Sequence, residues 1–88
     1  MNFYIFKVLT TIKSTGKIKA LIALPNGCIA SGSRDGTVAI WDPKSGLAVH
    51  KLEGHTNAVN TLTLIANDYL ASGSTDATIK IWSINTGI

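Results

Sequence analysis

Cysteine is nearly absent from this 88-residue chain, which contains only Cys28. A single cysteine can form neither an internal disulfide nor the thiolate cage of a structural zinc site. The simplest expectation is an intracellular protein of a reducing compartment, and we assign it to the cytoplasm. Cys28 lies just before an apolar segment, where we expect it to pack as a small apolar side chain.

Long apolar runs are absent as well, because no segment approaches the ~20 apolar residues needed to span a bilayer. The first ten residues, MNFYIFKVLT, are apolar. However, no basic residue precedes their short apolar run and no small-x-small cleavage site follows it, so they do not match a signal peptide. We expect a soluble chain with no membrane partner.

Charge and motif content exclude further classes of protein. Charged residues make up 15% of the chain, apolar residues 45%, and the net charge is +3, which indicates one small globular domain rather than a disordered chain. The sequence has no Gly-rich phosphate loop, no paired carboxylates and no metal-ligand spacing. It therefore predicts no cofactor and no metal.

The chain does contain an internal repeat. Residues 30–41 read ASGSRDGTVAIW, and residues 71–82 read ASGSTDATIKIW. Aligned without gaps, residues 20–46 and 61–87 are identical at 11 of 27 positions. A repeat of this length indicates an architecture built from copies of one structural unit.

Within each copy the composition predicts β-strands. The segments that end in Trp41 and Trp82 are rich in β-branched residues, and Lys80 between Ile79 and Ile81 gives the alternation of a half-exposed strand. No segment has the apolar stripe of a helix. We expect strands near 3–12, 18–24, 28–33, 37–42, 47–52, 59–65, 69–74 and 78–84.

The two copies differ at one turn. Asp35-Gly36 is a strong hairpin dipeptide, for which we expect positive φ at both residues. The matching dipeptide Asp76-Ala77 lacks the glycine. The second turn is therefore expected to be strained or to adopt another type.

These features together resemble the WD-repeat propeller blade, whose 40–45-residue repeat carries four strands, a Gly-His and a Trp-Asp. The matching residues are Gly54-His55, the two ASGS segments, Asp35, Asp76, Trp41-Asp42 and Trp82. The resemblance covers nearly the whole chain and implies an all-β fold of two four-stranded antiparallel blades. The first copy departs from it with Lys13-Ser14 in place of Gly-His, and the second with Trp82-Ser83 in place of Trp-Asp.

The resemblance also implies how the chain divides. Residues 1–12 would be an outer strand that completes a neighbouring blade, residues 13–53 the first blade, and residues 54–88 a second blade without its own outer strand. A propeller needs at least four blades, so two blades leave open edges that invite pairing. We expect copies of the chain to close a ring, with three or four copies favoured. The alternatives are a fragment of a longer propeller protein and a two-blade piece that docks on another propeller.

Ser72, His55 and Asp76 have the composition of a Ser-His-Asp hydrolase triad. However, Ser72 would lie inside a strand, no oxyanion hole is evident, and the first copy keeps its Ser, Asp and Trp without a His. The resemblance implies instead a structural hydrogen-bond tetrad of His55, Ser72, Asp76 and Trp82, and a partial tetrad of Ser31, Asp35 and Trp41 in a looser first blade. We therefore expect a non-catalytic interaction scaffold, with the hydrolase as the less favoured alternative.

The resemblance places partner contacts on the top face of the propeller disc. The corresponding positions are Lys17, Lys19 and Arg34 in the first blade, and Ala58, Asn60 and Thr75 in the second. Three cations together suit an acidic or phosphorylated peptide, although they could also be solubilising surface charges. No aromatic residue interleaves with them, so nucleic acid is a weaker expectation.

Overall fold

The computed structural model describes residues 5–84, which form seven β-strands and no helix. Strands β1 to β4 form one antiparallel sheet and β5 to β7 a second, and in each sheet neighbouring strands are consecutive in the chain. The predicted all-β class is confirmed, and the seven predicted strands from residue 18 onward each agree within one residue at either end. The bounds are β1 (Ile18–Ala23), β2 (Ile29–Ser33), β3 (Val38–Trp41), β4 (Ala48–Leu52), β5 (Val59–Ile65), β6 (Tyr69–Ser74) and β7 (Ile79–Ser83).

The segment before β1 differs from the strand expected near 3–12. Residues 5–12 belong to no strand, and residues 3 and 4 lie outside the described residues. The side chains of Ile5, Phe6, Val8 and Leu9 are between 79% and 96% exposed. Within residues 5–84 this segment pairs with no strand, so its role as an outer strand for a neighbouring blade stays a prediction. The same holds for the end of the second blade, because residues 85–88 are not described.

The core lies between the two sheets. Strand β5 of the second sheet packs against β1 and β2 of the first. Gly32 in β2 permits this close approach, because a Cβ atom there would lie 2.7 Å from Cγ1 of the fully buried Val59. The buried apolar residues of this core are Leu24, Ala30, Val38, Ile40, Leu52, Val59, Leu70 and Ile84.

Both sheets carry a β-bulge at the same place in the repeat. In the β1–β2 pair the register shifts between Ile18 and Ala20, and in the β5–β6 pair it shifts between Val59 and Thr61. Lys19 and Asn60 are therefore the extra residues. A bulge changes the direction in which a side chain points, and these two side chains belong to the positions predicted to contact a partner.

The loops between the second and third strand of each sheet span four residues, 34–37 and 75–78. Ser33 N donates to Thr37 O (3.0 Å) and Gly36 N to Ser33 O (3.1 Å), and only Gly36, at 90°, has positive φ in this loop. The expected positive φ at Asp35 was therefore wrong. The bond from Gly36 N to Ser33 O closes a turn whose last residue, Gly36, is the left-handed one. The Asp35 carboxylate also accepts the Thr37 N–H at 3.0 Å. In the matching loop Ala77 occupies the left-handed position, with φ 71°.

Replacing Ala77 with glycine should stabilise the fold by about 1 kcal/mol, because the left-handed conformation penalises a Cβ atom by roughly that amount. The measurement is the free energy of unfolding in urea. Ala71→Gly, the same change inside strand β6, is the matched control and should destabilise by about 0.5–1 kcal/mol. Two changes of the same sign would contradict the assignment of strain to Ala77.

Candidate functional site

The structure brings His55, Ser72, Asp76 and Trp82 together in one hydrogen-bonded chain. His55 lies in the loop before β5. Its Nδ1 is 2.9 Å from Asp76 Oδ2, and its Nε2 is 2.7 Å from Ser72 Oγ. Trp82 Nε1 donates to the same Ser72 Oγ at 2.8 Å. These hydrogen bonds thus connect Trp82 on β7 to Ser72 on β6, and then to His55 and Asp76 in two loops.

Donor and acceptor chemistry fixes the direction of the protons in this chain. An indole N–H can only donate, so Ser72 Oγ accepts from Trp82 and must give its own proton to His55 Nε2. The remaining His55 proton then lies on Nδ1, facing the carboxylate of Asp76, which can only accept. Each group therefore has the partner that it requires, and Ser72 is fully buried.

The strand register explains why Trp82 reaches Ser72. Trp82 pairs with Leu70 across β6 and β7, and Ser72 is two residues from Leu70 on the same strand. Residues two apart in a strand share a face, so Trp82 and Ser72 are diagonal neighbours on one side of the sheet. The His55 ring packs edge-on against the Trp82 ring, with centroids 6.4 Å apart.

Asp76 is held as a carboxylate. The Thr78 hydroxyl donates to Asp76 Oδ1 at 2.5 Å. This bond does most to hold the pKa of Asp76 well below its ordinary value of 3.8, and hydrogen bonds from His55 and from the N–H groups of Thr56 and Thr78 lower it further. A pKa lowered by folding means that the carboxylate favours the folded state above pH 3.8 and that this contribution is lost as the pH falls further. Sequence reasoning missed Thr78, although Thr37 is the identical residue of the first copy.

The first sheet keeps only part of this arrangement. Trp41 Nε1 donates to Ser31 Oγ at 2.8 Å, as its counterpart does. Asp35 Oδ2 accepts instead from Thr15 Oγ1 at 2.8 Å, and this bond does most to lower the pKa of Asp35. Among residues 5–84 no hydrogen bond links Ser31 to Asp35. The predicted partial tetrad is thus split into two hydrogen-bonded pairs, Ser31 with Trp41 and Asp35 with Thr15. Sequence reasoning missed Thr15, although Thr56 stands at the same repeat position.

The predicted contact residues of the first blade lie at one end of its sheet. Arg34 N donates to Lys17 O at 2.8 Å, and Lys19 forms the bulge two residues later. All three side chains are exposed. The ion pair present within residues 5–84 joins His55 and Asp76, so none of these three cations has a carboxylate partner in that range.

The corresponding residues of the second blade are polar and partly engaged. Thr75 N donates to Ala58 O at 3.0 Å, which repeats the link between Arg34 and Lys17. Asn60 Nδ2 donates to Thr75 Oγ1 at 2.7 Å. Ala58 is buried, so its side chain offers no contact surface. Of the predicted contact positions, the charged ones therefore all belong to the first blade.

Comparison with known proteins identifies similar chains. The sequence matches the family model described as WD domain, G-beta repeat, over residues 6–42 and 46–83. It is 40% identical over 62 residues to dynein assembly factor with WD repeat domains 1 of Mus musculus, and 47% identical over 34 residues to mitochondrial division protein 1 of Kluyveromyces lactis. These matches cover 66% and 39% of the chain but only 14% and 5% of the relatives, so the chain spans a small part of their length.

Two solved structures resemble the fold. The crystal structure of the computationally designed Ika4 protein superimposes with a TM-score of 0.80 at 30% identity, over 96% of this chain and 52% of that one. The designed Ika8 protein gives a TM-score of 0.70 at 35% identity, over 81% of this chain and 22% of that one. Separately, no helix within residues 5–84 is long and apolar enough to cross a membrane.

Proposed function

The chain belongs to the WD-repeat family, and we propose that it is a non-catalytic module of a propeller to which other polypeptides bind. The observation that carries this proposal is the closed hydrogen-bond chain around Ser72. A catalytic serine must expose its oxygen to substrate, whereas Ser72 is 0% exposed and its oxygen already accepts one proton and donates another. A serine-reactive phosphonate should leave the folded protein unlabelled. Labelling at Ser72 would favour the hydrolase instead.

The module is proposed to complete itself with further copies of the chain. Within residues 5–84, β7 pairs only with β6, and Ile79 and Ile81 on β7 are 75% and 56% exposed. Such an edge readily accepts another strand. The apolar segment of residues 5–12 lacks a strand partner, so one copy can supply the strand that the edge of the next copy lacks.

The length of the structural relatives supports such an arrangement. The match covers 52% of Ika4 with 96% of this chain and 22% of Ika8 with 81% of this chain, so about two or four copies would reach similar lengths. A head-to-tail contact that closes by rotation gives a ring of identical subunits. The alternative, in which the other blades come from a longer protein that contains this segment, uses the same edges.

Solution mass decides between these arrangements. Light scattering on the 9.3 kDa chain should give the mass of a closed ring. The sequence predicts a ring of three or four copies, and the lengths of Ika4 and Ika8 favour two or four copies. The mass should stay constant over a range of concentrations, because a closed ring has no free edge. A monomer at every concentration would exclude self-assembly and favour blades supplied by a longer protein.

The exposed cations Lys17, Lys19 and Arg34 are proposed to bind an acidic or phosphorylated peptide. They lie at the end of the sheet that also carries the loop between β2 and β3, and no carboxylate of residues 5–84 competes for them. Arginine and carboxylate or phosphate form paired, charge-assisted hydrogen bonds. Lys19, the extra residue of the β-bulge in β1, adds a third cation at this end of the sheet.

Charge reversal at this patch should abolish the binding of an acidic peptide. Lys17→Glu/Arg34→Glu should weaken the binding of a fluorescein-labelled oligoglutamate by about tenfold or more, which corresponds to about 1.4 kcal/mol. Lys44→Glu/Lys80→Glu changes the net charge equally and is the control, since Lys44 lies in the loop at the opposite end of the sheet and Lys80 on β7 of the other sheet. Anisotropy titrations give both affinities. Equal losses in the two variants would mean that the peptide senses only net charge.

A further inference from the structure

A cavity of about 180 Å³ lies in the first sheet at the repeat position that the His55 ring takes in the second. Ser14 stands where the repeat places histidine, and its short side chain turns back to accept the Gly16 N–H at 3.3 Å. Ser14, Ser31 and Trp41 all line the cavity. The first sheet therefore keeps both walls of the histidine position but not the imidazole between them.

One polar group at this cavity has an unused donor. Ser31 is 2% exposed, and its oxygen accepts the Trp41 indole proton. In the second sheet the equivalent hydroxyl, that of Ser72, gives its proton to His55 Nε2 at 2.7 Å. Within residues 5–84 the hydroxyl proton of Ser31 has no such acceptor. A buried donor without an acceptor is unfavourable, so a ligand that accepts this proton gains affinity from it.

We propose that this cavity binds a small neutral heterocycle of the imidazole type, whose unprotonated ring nitrogen accepts the Ser31 proton. Thr37 also lines the cavity, and its side chain hydrogen-bonds to the Asp35 carboxylate. Lys13 and Lys51 line the cavity too, and their positive charge disfavours the protonated form of the ligand. The Asp35 carboxylate, bonded to Thr15 and Thr37 of the wall, acts in the opposite direction, and the pH dependence follows from the Ser31 proton, which only an unprotonated ring nitrogen can accept.

Titration with imidazole tests the proposal at about pH 8, where the ring is mostly neutral. The two tryptophan indole N–H signals, assigned by triple-resonance NMR, report on the two sheets separately. The Trp41 signal should shift and saturate at millimolar imidazole, whereas the Trp82 signal should stay in place. The shift should be lost at about pH 5.5, where imidazole is protonated. A linear shift, or equal shifts of both signals, would overturn the proposal.

Ser14→His provides the competing side chain within the same protein. This variant restores the histidine of the repeat, so the saturable shift of Trp41 should disappear and the melting temperature should rise. An unchanged imidazole titration in Ser14→His would place the binding site elsewhere and overturn the proposal. N-acetylhistidine amide is a second probe for the wild-type chain. Tighter binding of this probe than of imidazole would identify a peptide histidine as the source of the ligand, and weaker binding would identify a free heterocycle.

Discussion

His55→Ala will lower the free energy of unfolding by about 1–3 kcal/mol, the usual cost of leaving a buried polar partner unsatisfied. The change removes the acceptor of the Ser72 proton and a donor to Asp76 at once. It also removes the ring that packs against Trp82. Urea unfolding followed by tryptophan fluorescence measures the loss.

The matched control for this prediction is Ser14→Ala, at the equivalent position of the first copy. The half-buried Ser14 side chain accepts a single long bond from Gly16 N at 3.3 Å, and removing one weak hydrogen bond of this kind should change stability by about 0.5 kcal/mol. If His55→Ala were as mild as Ser14→Ala, the four-residue chain would contribute little to the fold. The view of these residues as structural would then lose its support.

The repeat made most of the fold predictable. Aligning Trp41 with Trp82 and Ser31 with Ser72 located matching strands, and the loss of a histidine from one copy pointed away from catalysis. The family resemblance then supplied the order of the four residues from Trp82 to Asp76. The strand positions follow from residue identity and spacing, which the chain displays directly, whereas the order of the four residues rests on the resemblance to the family.

Other features could not be predicted because they depend on which atoms meet in three dimensions. The repeat showed that the first blade lacks a histidine, but it did not show that the Thr15 hydroxyl would donate to Asp35 where a histidine would otherwise do so. The bulges at Lys19 and Asn60 escaped notice because strict alternation along one strand carries no information about the register of its partner. The hydrogen bond from Thr37 N to the Asp35 carboxylate likewise forms only once the loop is closed.

Gly32→Ala will destabilise the chain by about 1–3 kcal/mol, the range expected for overpacking a core. The new Cβ would lie 2.7 Å from Val59 Cγ1 and 3.1 Å from the Val59 backbone oxygen. Val59 is completely buried, so strand β5 itself must move away from β2. Thermal unfolding measures the loss, and an unchanged melting temperature would mean that the contact between the two sheets yields easily.

Gly73→Ala is the same substitution at the same repeat position, and it separates folding from assembly. Its Cβ would meet only Thr61 Oγ1, at 2.5 Å, which can rotate aside, and no neighbouring sheet of the same chain. The dilute protein should therefore unfold much as the wild type does.

If copies stack as the two sheets within one chain do, Ile18 of the next copy will lie over Gly73 as Val59 lies over Gly32. Gly73→Ala should then abolish the ring and, with it, the rise of melting temperature with concentration that assembly produces. A Gly73→Ala protein that keeps its ring mass would show that copies meet through some other surface.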